Sequence, residues 1–330
     1  MPDSDLARNP FKYSPSDISS IFRRNIYIEI ISSAPFSRLK NIHFLGAIDY
    51  ALGGDQIRHE RQNTRYHHSL GVARLALMFA RLRNFNPDHE VLCVVAALLH
   101  DIGHAPFSHS MESVFVDKFN LGHHQASERI IKGEVPRFAS IWKIIDSYGI
   151  NIFRILAILN GVGEQSFREA FDYPINIDTI EGILRCAQLI PDFDAMLSPD
   201  DVVEELASIS GSSVRIFDLF WKAKNYAYIN LIYSKLAIIA DYLCQDYMRR
   251  AKNVRDDFFY DTEVQFRKKH SGIFKHLSDL RTSKTPDMFF KHSIDYYERI
   301  FEINANVNIS NIEDLKSRYT QRKVRKHIDW

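Results

Sequence analysis

Cysteine is scarce in this sequence, and no two cysteines have the spacing of a metal-binding or redox pair. The three that occur, Cys93, Cys186 and Cys244, lie far apart, in or beside apolar runs. This pattern excludes a disulfide framework and favours buried thiols in a reducing cytosol. No apolar stretch reaches the roughly 18 residues that a membrane-spanning helix needs, and the N-terminus lacks the apolar core of a signal peptide. We therefore expect a cytoplasmic protein that does not enter a membrane.

An excess of charge of either sign is also absent. Lysine and arginine number 42 against 41 aspartates and glutamates, which leaves a net charge of +1. A chain so close to neutral has no overall field that would mark it as a nucleic-acid binder. The basic segment 316–326 is the exception. We expect it to be a solvated helix face, although it could instead contact nucleic acid or a partner subunit.

Alternating strand patterns are few, and helical patterns occupy most of the chain. Hydrophobic residues make up 45% of the 330 positions, which is typical of a globular protein with a sizeable core. The stretch 46–64 is polar and is predicted to be a loop or hairpin. Ser198 and Pro199 have the chemistry of a helix start. Helices are predicted at about 66–84, 88–101, 109–119, 123–132, 136–147 and 177–189, and one or two long helices at 214–253.

One apolar run ends in residues that are costly to bury. The run from Val91 to Leu99 stops at His100 and Asp101, and a metal ion is the partner that suits an imidazole and a carboxylate together. The start of the preceding helix carries His67 and His68, and a later helix begins near Asp178. Two histidines with two carboxylates leave coordination positions open, as in a catalytic metal site.

Two longer segments around these residues resemble a known family. They are Arg65–Val72, with the sequence RYHHSLGV, and Leu98–His109, with the sequence LLHDIGHAPFSH. Both resemble the HD-domain phosphohydrolase superfamily, and within it the deoxynucleoside triphosphate triphosphohydrolases. The resemblance covers about 35–190 and implies an all-α, mainly helical fold. On this basis we expect an N-terminal arm (1–34), an HD phosphohydrolase domain (35–255) and a C-terminal helical or mixed elaboration (256–330).

The resemblance assigns the metal ligands position by position. It implies that His68, His100, Asp101 and Asp178 bind a divalent ion, although Asp178 could instead serve only as a helix cap. Oxygen and nitrogen ligands without thiolate suit manganese, iron, magnesium or zinc and do not distinguish among them.

The resemblance also implies a group of catalytic side chains. His104 and His109 match two active-site histidines of the family, and His123 matches its catalytic histidine. His124 stands where the family commonly has glutamate, so His124 is an alternative to His123. Glu112 matches an acidic position and is a candidate to orient a histidine.

The matches to substrate-binding residues are less complete. Arg65 matches an arginine that contacts the triphosphate, and Tyr233 and Lys235 are candidates for a later tyrosine and lysine. Where the family has aspartate and tyrosine after the fourth ligand, this chain has Gly182 and Cys186. Those two positions help to read the sugar, which puts the preference for deoxyribose in question.

The implied reaction is metal-dependent hydrolysis of deoxynucleoside triphosphates to deoxynucleoside and triphosphate. A bound cation lowers the pKa of water, and a histidine protonates the leaving oxygen. An HD phosphohydrolase acting on a nucleoside monophosphate or a phosphodiester is an alternative, as is a nucleotide-sensing subunit with little turnover. Family relatives are commonly homo-oligomers with nucleotide activators, and some take part in antiviral defence.

Overall fold

Helices form most of the chain, which confirms the predicted fold class. The computed structural model describes residues 11, 13–52, 63–190, 197–208, 214–252, 254–282 and 293–329. In chain order the helices are α1 (Pro15–Ile21), α2 (Asn25–Ser32), α3 (Ala34–Arg38), α4 (Ala47–Ala51), α5 (Arg65–Leu82), α6 (Pro87–Leu99), α7 (His109–Phe119), α8 (His123–Ile131), α9 (Ser140–Ser147), α10 (Ile152–Leu159), α11 (Gln165–Phe171), α12 (Ile177–Ala187), α13 (Pro199–Ala207), α14 (Val214–Ala227), α15 (Lys235–Arg250), α16 (Glu263–Lys269), α17 (Ser271–Arg281) and α18 (Asp314–Arg318).

The helix pair α5 and α6 forms the centre of the core. Both are rich in alanine and leucine, and they pack along each other, with α12 and α13 on the outer side of α5. The side chain of Asn86 caps the start of α6, where Pro87 supplies the first residue. Because α6 is buried along its second half and ends at Leu99, the chain delivers His100 and Asp101 directly into the core.

The C-terminal part of the chain contains a β-hairpin. Strands β1 (Ser293–Ile303) and β2 (Tyr319–Asp329) are antiparallel, with Arg299 opposite Lys323. The prediction that 316–326 is one helix face is therefore wrong: α18 ends at Arg318, and β2 takes the rest. Cross-strand ion pairs such as Arg325 with Asp295, 2.7 Å apart, offset the basic charge of β2.

Smaller departures from the predicted elements concern the loops. Helix α4 lies at the start of the stretch 46–64, and most of the remainder, 53–62, is outside the described residues. A π-helical turn, Tyr228–Ile232, separates α14 from α15, so the segment 214–253, predicted as one or two long helices, forms two. Such turns frequently occur at functional sites.

Both flanks of the predicted central domain contribute to one hydrophobic core. Phe22 and Tyr27 from the N-terminal flank are buried in the same cluster as Phe266 and Tyr319 from the C-terminal flank. The boundaries at residues 34 and 255 stay predictions. Within the described ranges no single helix has the length and apolar character needed to cross a bilayer; only the bent pair Val214–Ile232 and Lys235–Arg250 meets those criteria together.

Candidate metal and catalytic site

The four predicted metal ligands come from three helices. His68 lies in the first turns of α5, His100 follows the last residue of α6, and Asp178 lies in the first turn of α12. The side chain of Asn176 caps α12, so Asp178 is not the cap and its carboxylate is available for other contacts. Of the four residues, His68 and Asp101 are buried, whereas the side chain of Asp178 is half-exposed.

The donor atoms of these four residues converge. Nε2 of His68 lies 3.3 Å from Nε2 of His100 and 3.0 Å from Oδ1 of Asp178. Oδ2 of Asp101 lies 3.5 Å from Nε2 of His68 and 3.4 Å from Nε2 of His100. Ligands bonded at about 2.1 Å to one ion lie roughly 3–3.5 Å from each other, so these separations suit a single metal ion.

The hydrogen bonds behind the two histidines fix which nitrogen is a ligand. Nδ1 of His100 donates to the carbonyl of Ala97 at 2.8 Å, and Nδ1 of His68 donates to Glu181 at 2.5 Å. Both Nε2 atoms therefore present lone pairs to each other and to two carboxylates. Four electron-pair donors this close together can be bridged by one cation, so the residues present fit a divalent metal.

Glu181 is a functional residue that the sequence analysis missed. Its buried carboxylate accepts the hydrogen bond from His68 and is held in turn by Arg185 one turn later on α12. Space for it comes from Gly71 on α5, where an added Cβ would lie 2.2 Å from Oε1 of Glu181. The spacing was a usable signal, because Glu181 lies three residues after Asp178 on the same helix face.

Arg65 connects the metal ligands to the turn that follows them. Its guanidinium donates to Oδ2 of Asp101 at 2.7 Å, to Oγ of Ser108 at 3.0 Å and to the carbonyl of Phe44 at 3.0 Å. Although only 4% exposed, it lines the cavity beside the metal ligands. A guanidinium with remaining N–H groups in such a place is suited to phosphate oxygens.

Glu112 holds two of the predicted catalytic histidines. Oε1 accepts hydrogen bonds from the backbone N–H and Nδ1 of His123, at 2.9 and 2.5 Å, and Oε2 accepts from Nδ1 of His109 at 2.9 Å. Burial alone would raise the pKa of Glu112, but the hydrogen bonds from His109 and His123 hold it well below its usual range. His124 also lines the cavity but is exposed, and Glu112 orients His123 rather than His124.

His104 lies in a second layer. Its ring is fully buried and stacks on His123, with 4.3 Å between centroids and 11° between planes. The lone pairs of stacked imidazoles lie in parallel planes and cannot point at one ion, so His104, His109 and His123 do not form a second metal site. Burial and the nearby Arg65 lower the pKa of His104 well below its ordinary value, which makes it neutral at pH 7.

A cavity of about 470 Å³ opens beside the metal ligands. This volume lies in the range of small-molecule sites. One wall carries the metal ligands, Arg65 and the histidines, and the apolar wall includes Leu156, Leu159, Phe171 and Ile183.

Tyr233 and Lys235, the predicted substrate-binding pair, do not line this cavity. The hydroxyl of Tyr233 accepts a hydrogen bond from the backbone of Arg299, and Lys235 is exposed at the start of α15. Lys224 and Tyr228 line the cavity instead. They lie four residues apart on one face of the helical segment, whereas Tyr233 is rotated away from that face.

Two cations in the cavity wall have no carboxylate partner within the described parts of the chain. Nζ of Lys224 is buried and donates only to the carbonyl of Pro174, at 3.3 Å, beside the rings of Trp221 and Phe301. Arg299 reaches the cavity from β1. Burial, reinforced by the charge of Arg299, lowers the pKa of Lys224 to about 8. An anionic ligand would supply the missing counter-charge.

Gly182 and Cys186, the two positions that match sugar-binding residues of the family, offer few polar groups to a ligand. A Cβ added at Gly182 would lie 3.3 Å from Cζ of Phe44, so the Phe44 ring occupies the space of a larger side chain. Burial raises the pKa of the Cys186 thiol to about 12, which keeps it neutral at pH 7. Both positions line the cavity.

Comparison with known proteins finds a family model that matches the region of this arrangement. The model, described as "HD domain", matches residues 65–157, which include three of the four converging ligands. This region of the chain is therefore similar to HD domains. This confirms the resemblance that the two motif segments indicated.

Several relatives share the HD region. Deoxynucleoside triphosphate triphosphohydrolase SAMHD1 of Gallus gallus is 30% identical over 145 residues, covering 41% of this chain and 22% of the relative. The uncharacterized protein YwfO of Bacillus subtilis is 29% identical over 140 residues, covering 41% of this chain and 30% of the relative. The chain thus spans less than a third of these relatives' length.

A solved structure is similar over nearly the whole chain. It is a hypothetical protein from Aquifex aeolicus, with a TM-score of 0.68, 16% identity, and coverage of 92% of this chain and 91% of that one. At this identity the similarity concerns the fold alone, which extends beyond the HD region into both flanks.

Proposed function

We propose that this HD-domain protein is a metal-dependent phosphohydrolase that cleaves deoxynucleoside triphosphates into deoxynucleoside and triphosphate. The observation that carries the proposal is the convergence of His68, His100, Asp101 and Asp178 beside a cavity whose two cations have no carboxylate partner among the described residues. A divalent ion held by these ligands would supply an activated water at neutral pH and would withdraw charge from a phosphate group.

Other residues of the chain transfer the proton and bind the phosphate groups. Glu112 holds Nδ1 of His123, so Nε2 is the ring nitrogen that can pass a proton to the leaving oxygen. Arg65 is held against Asp101 and binds phosphate oxygens near the metal ligands. Lys224 and Arg299 lie in the cavity wall and bind the outer phosphates.

The number of cations favours a polyphosphate over a monophosphate. Arg65, Lys224 and Arg299 all line the cavity, and a triphosphate carries enough charge to engage all three. A second candidate is an HD phosphohydrolase for another phosphate ester. This second candidate is favoured because Gly182 and Cys186, which line the cavity, offer few polar groups that could hydrogen-bond a sugar.

Product analysis tests the proposal. Purified protein with Mn²⁺ is incubated with each dNTP and NTP, and with their mixture, because the resemblance to the family implies a nucleotide activator. Nucleosides, nucleotides and phosphates are then resolved by ion-exchange chromatography. We expect deoxynucleoside and intact triphosphate, since attack at the α-phosphorus releases both.

Variants of the ligand set provide the control. His100→Ala/Asp101→Ala is expected to lose bound metal, measured by mass spectrometry of the metal content, together with all turnover. Asp178→Asn is expected to bind metal more weakly. Mono- or diphosphate products would replace the proposal with the second candidate. No turnover at all would favour a nucleotide sensor, and an active double variant would contradict the metal site.

A further inference from the structure

The turn after the metal ligands has an unfavourable backbone. Phe107 and Ser108 are consecutive non-glycine residues with φ of 59° and 47°. This left-handed region is disfavoured for L-residues, and two in succession persist only when contacts hold them. The hydroxyl of Ser108 donates to the carbonyl of His43 at 2.6 Å, and the N–H of Phe107 donates to Oε1 of Glu263 at 3.1 Å.

Glu263 is a buried carboxylate at the start of α16. It is 3% exposed and accepts hydrogen bonds from four groups on three segments. Besides Phe107, the donors are the backbone N–H and ring of His43 and the hydroxyl of Tyr50. One side chain from the C-terminal part of the chain therefore joins the 43–44 segment to the motif turn.

The two joined segments are those that hold Arg65. Oγ of Ser108 accepts from Nε of Arg65, and the carbonyl of Phe44 accepts from Nη2, both at 3.0 Å. Each acceptor is next in sequence to a residue that Glu263 binds. A shift of either segment would turn the guanidinium away from its present orientation.

We propose that Glu263 is a positioning residue that orients Arg65 toward the phosphate groups of the substrate. The inference rests on the proposed function, because it takes a phosphate as the ligand of Arg65. The metal ligands lie on α5, after α6 and on α12, and Glu263 hydrogen-bonds none of them. Its loss should therefore act on phosphate binding before metal binding.

The test compares tripolyphosphate binding by calorimetry, metal content and steady-state kinetics in the full chain. Glu263→Ala should raise the Kd of tripolyphosphate and the KM of the nucleotide about tenfold, with metal content unchanged, because a small displacement of a binding group has a large cost. Glu263→Gln keeps one acceptor oxygen and should recover part of the loss. It also carries the test if Glu263→Ala does not fold.

Two further variants separate positioning from general stability. Asp218 accepts two hydrogen bonds from Arg318 and one from Tyr319, so Asp218→Ala removes comparable bonding on α14 and should leave the Kd unchanged. In Arg65→Ala, adding Glu263→Ala should weaken tripolyphosphate binding no further.

The possible results differ in what they overturn. An unchanged Kd in folded Glu263→Ala, an equal loss in Asp218→Ala, or additive losses with Arg65→Ala would each overturn the positioning role alone. A wild-type protein that binds metal but no tripolyphosphate would contradict the proposed function, and the role of Glu263 with it.

Discussion

Lys224 is a residue whose charge should change within the working pH range. Its pKa is lowered to about 8 by burial and by Arg299, and a lysine binds anions only as the cation. As pH rises through 8, the side chain loses its proton and its attraction for phosphate. We expect the nucleotide KM to rise about tenfold between pH 7 and pH 9, the fraction of charged lysine falling by that factor.

Substitution shows whether Lys224 is the source of this pH dependence. Lys224→Met keeps the apolar stem and should give a high KM that varies little over the same range. Lys222 lies on the exposed side of the same helix, so Lys222→Met should retain the wild-type profile. A profile that survives in Lys224→Met would assign the titration to another group.

Among single residues, the motif spacing indicated the four side chains whose donor atoms converge, and Arg65 beside them; their roles as metal ligands and phosphate contact stay predictions. It did not predict Lys224 and Arg299, and it indicated Tyr233 and Lys235 instead. The reason is geometric: the π-helical turn Tyr228–Ile232 sets which helix face meets the cavity, and side-chain spacing alone does not reveal such a turn.

Among the helices, the contact between α5 and α12 controls the metal site. Gly71 leaves the space that Glu181 fills, and a Cβ there would lie 2.2 Å from Oε1 of Glu181. We expect Gly71→Ala to displace Glu181 and weaken Mn²⁺ binding 10- to 100-fold, the usual effect of losing a partner of a ligating histidine. Calorimetric titration of the metal-free protein measures this.

Helix propensity gives a separate expectation for the effect of Gly71→Ala on stability. Alanine favours a helix over glycine by about 1 kcal/mol, so propensity alone predicts that Gly71→Ala is stabilising. Gly149 has φ of 65° and open space around its Cα, so Gly149→Ala should cost about 1 kcal/mol of unfolding free energy and leave Mn²⁺ affinity unchanged. Equal metal affinity in both variants would show that Glu181 adapts.

The elements themselves were predictable where apolar periodicity was strong, as in α5 and α6. The hairpin was missed because β2 is exposed along most of its length and shows no alternation, although β1 alternates between exposed and less exposed positions over 293–300. In β2 the partly buried apolar residues Val324 and Ile328 are four apart, a spacing that also fits a helix, and the run of basic residues at 316–326 does not distinguish the two structures.

Across the whole molecule, the cavity depends on residues distant in sequence. Arg299 comes from β1, more than 100 residues after the last metal ligand, Asp178. We expect Arg299→Ala to raise the nucleotide KM about tenfold, as loss of one charge-assisted hydrogen bond does, with metal content unchanged. Steady-state kinetics with metal analysis on the same sample checks both.

Arg325 offers a matched substitution on the same hairpin. It is exposed and paired with Asp295 at 2.7 Å, and it does not line the cavity. Arg325→Ala should leave the KM unaltered. If both variants raise the KM alike, the hairpin acts through its overall electrostatic field, and Arg299 makes no specific contact with the nucleotide.

The bond between Phe107 and Glu263 has a consequence for biosynthesis. The two residues are 156 positions apart, so a nascent chain acquires all four metal ligands long before Glu263 leaves the ribosome. Helices α5, α6 and α12 can associate at that stage, because domains begin to fold during synthesis. The motif turn can gain its fixed geometry only after α16 has emerged, so we expect the orientation of Arg65 to be completed later in synthesis than the four proposed metal ligands.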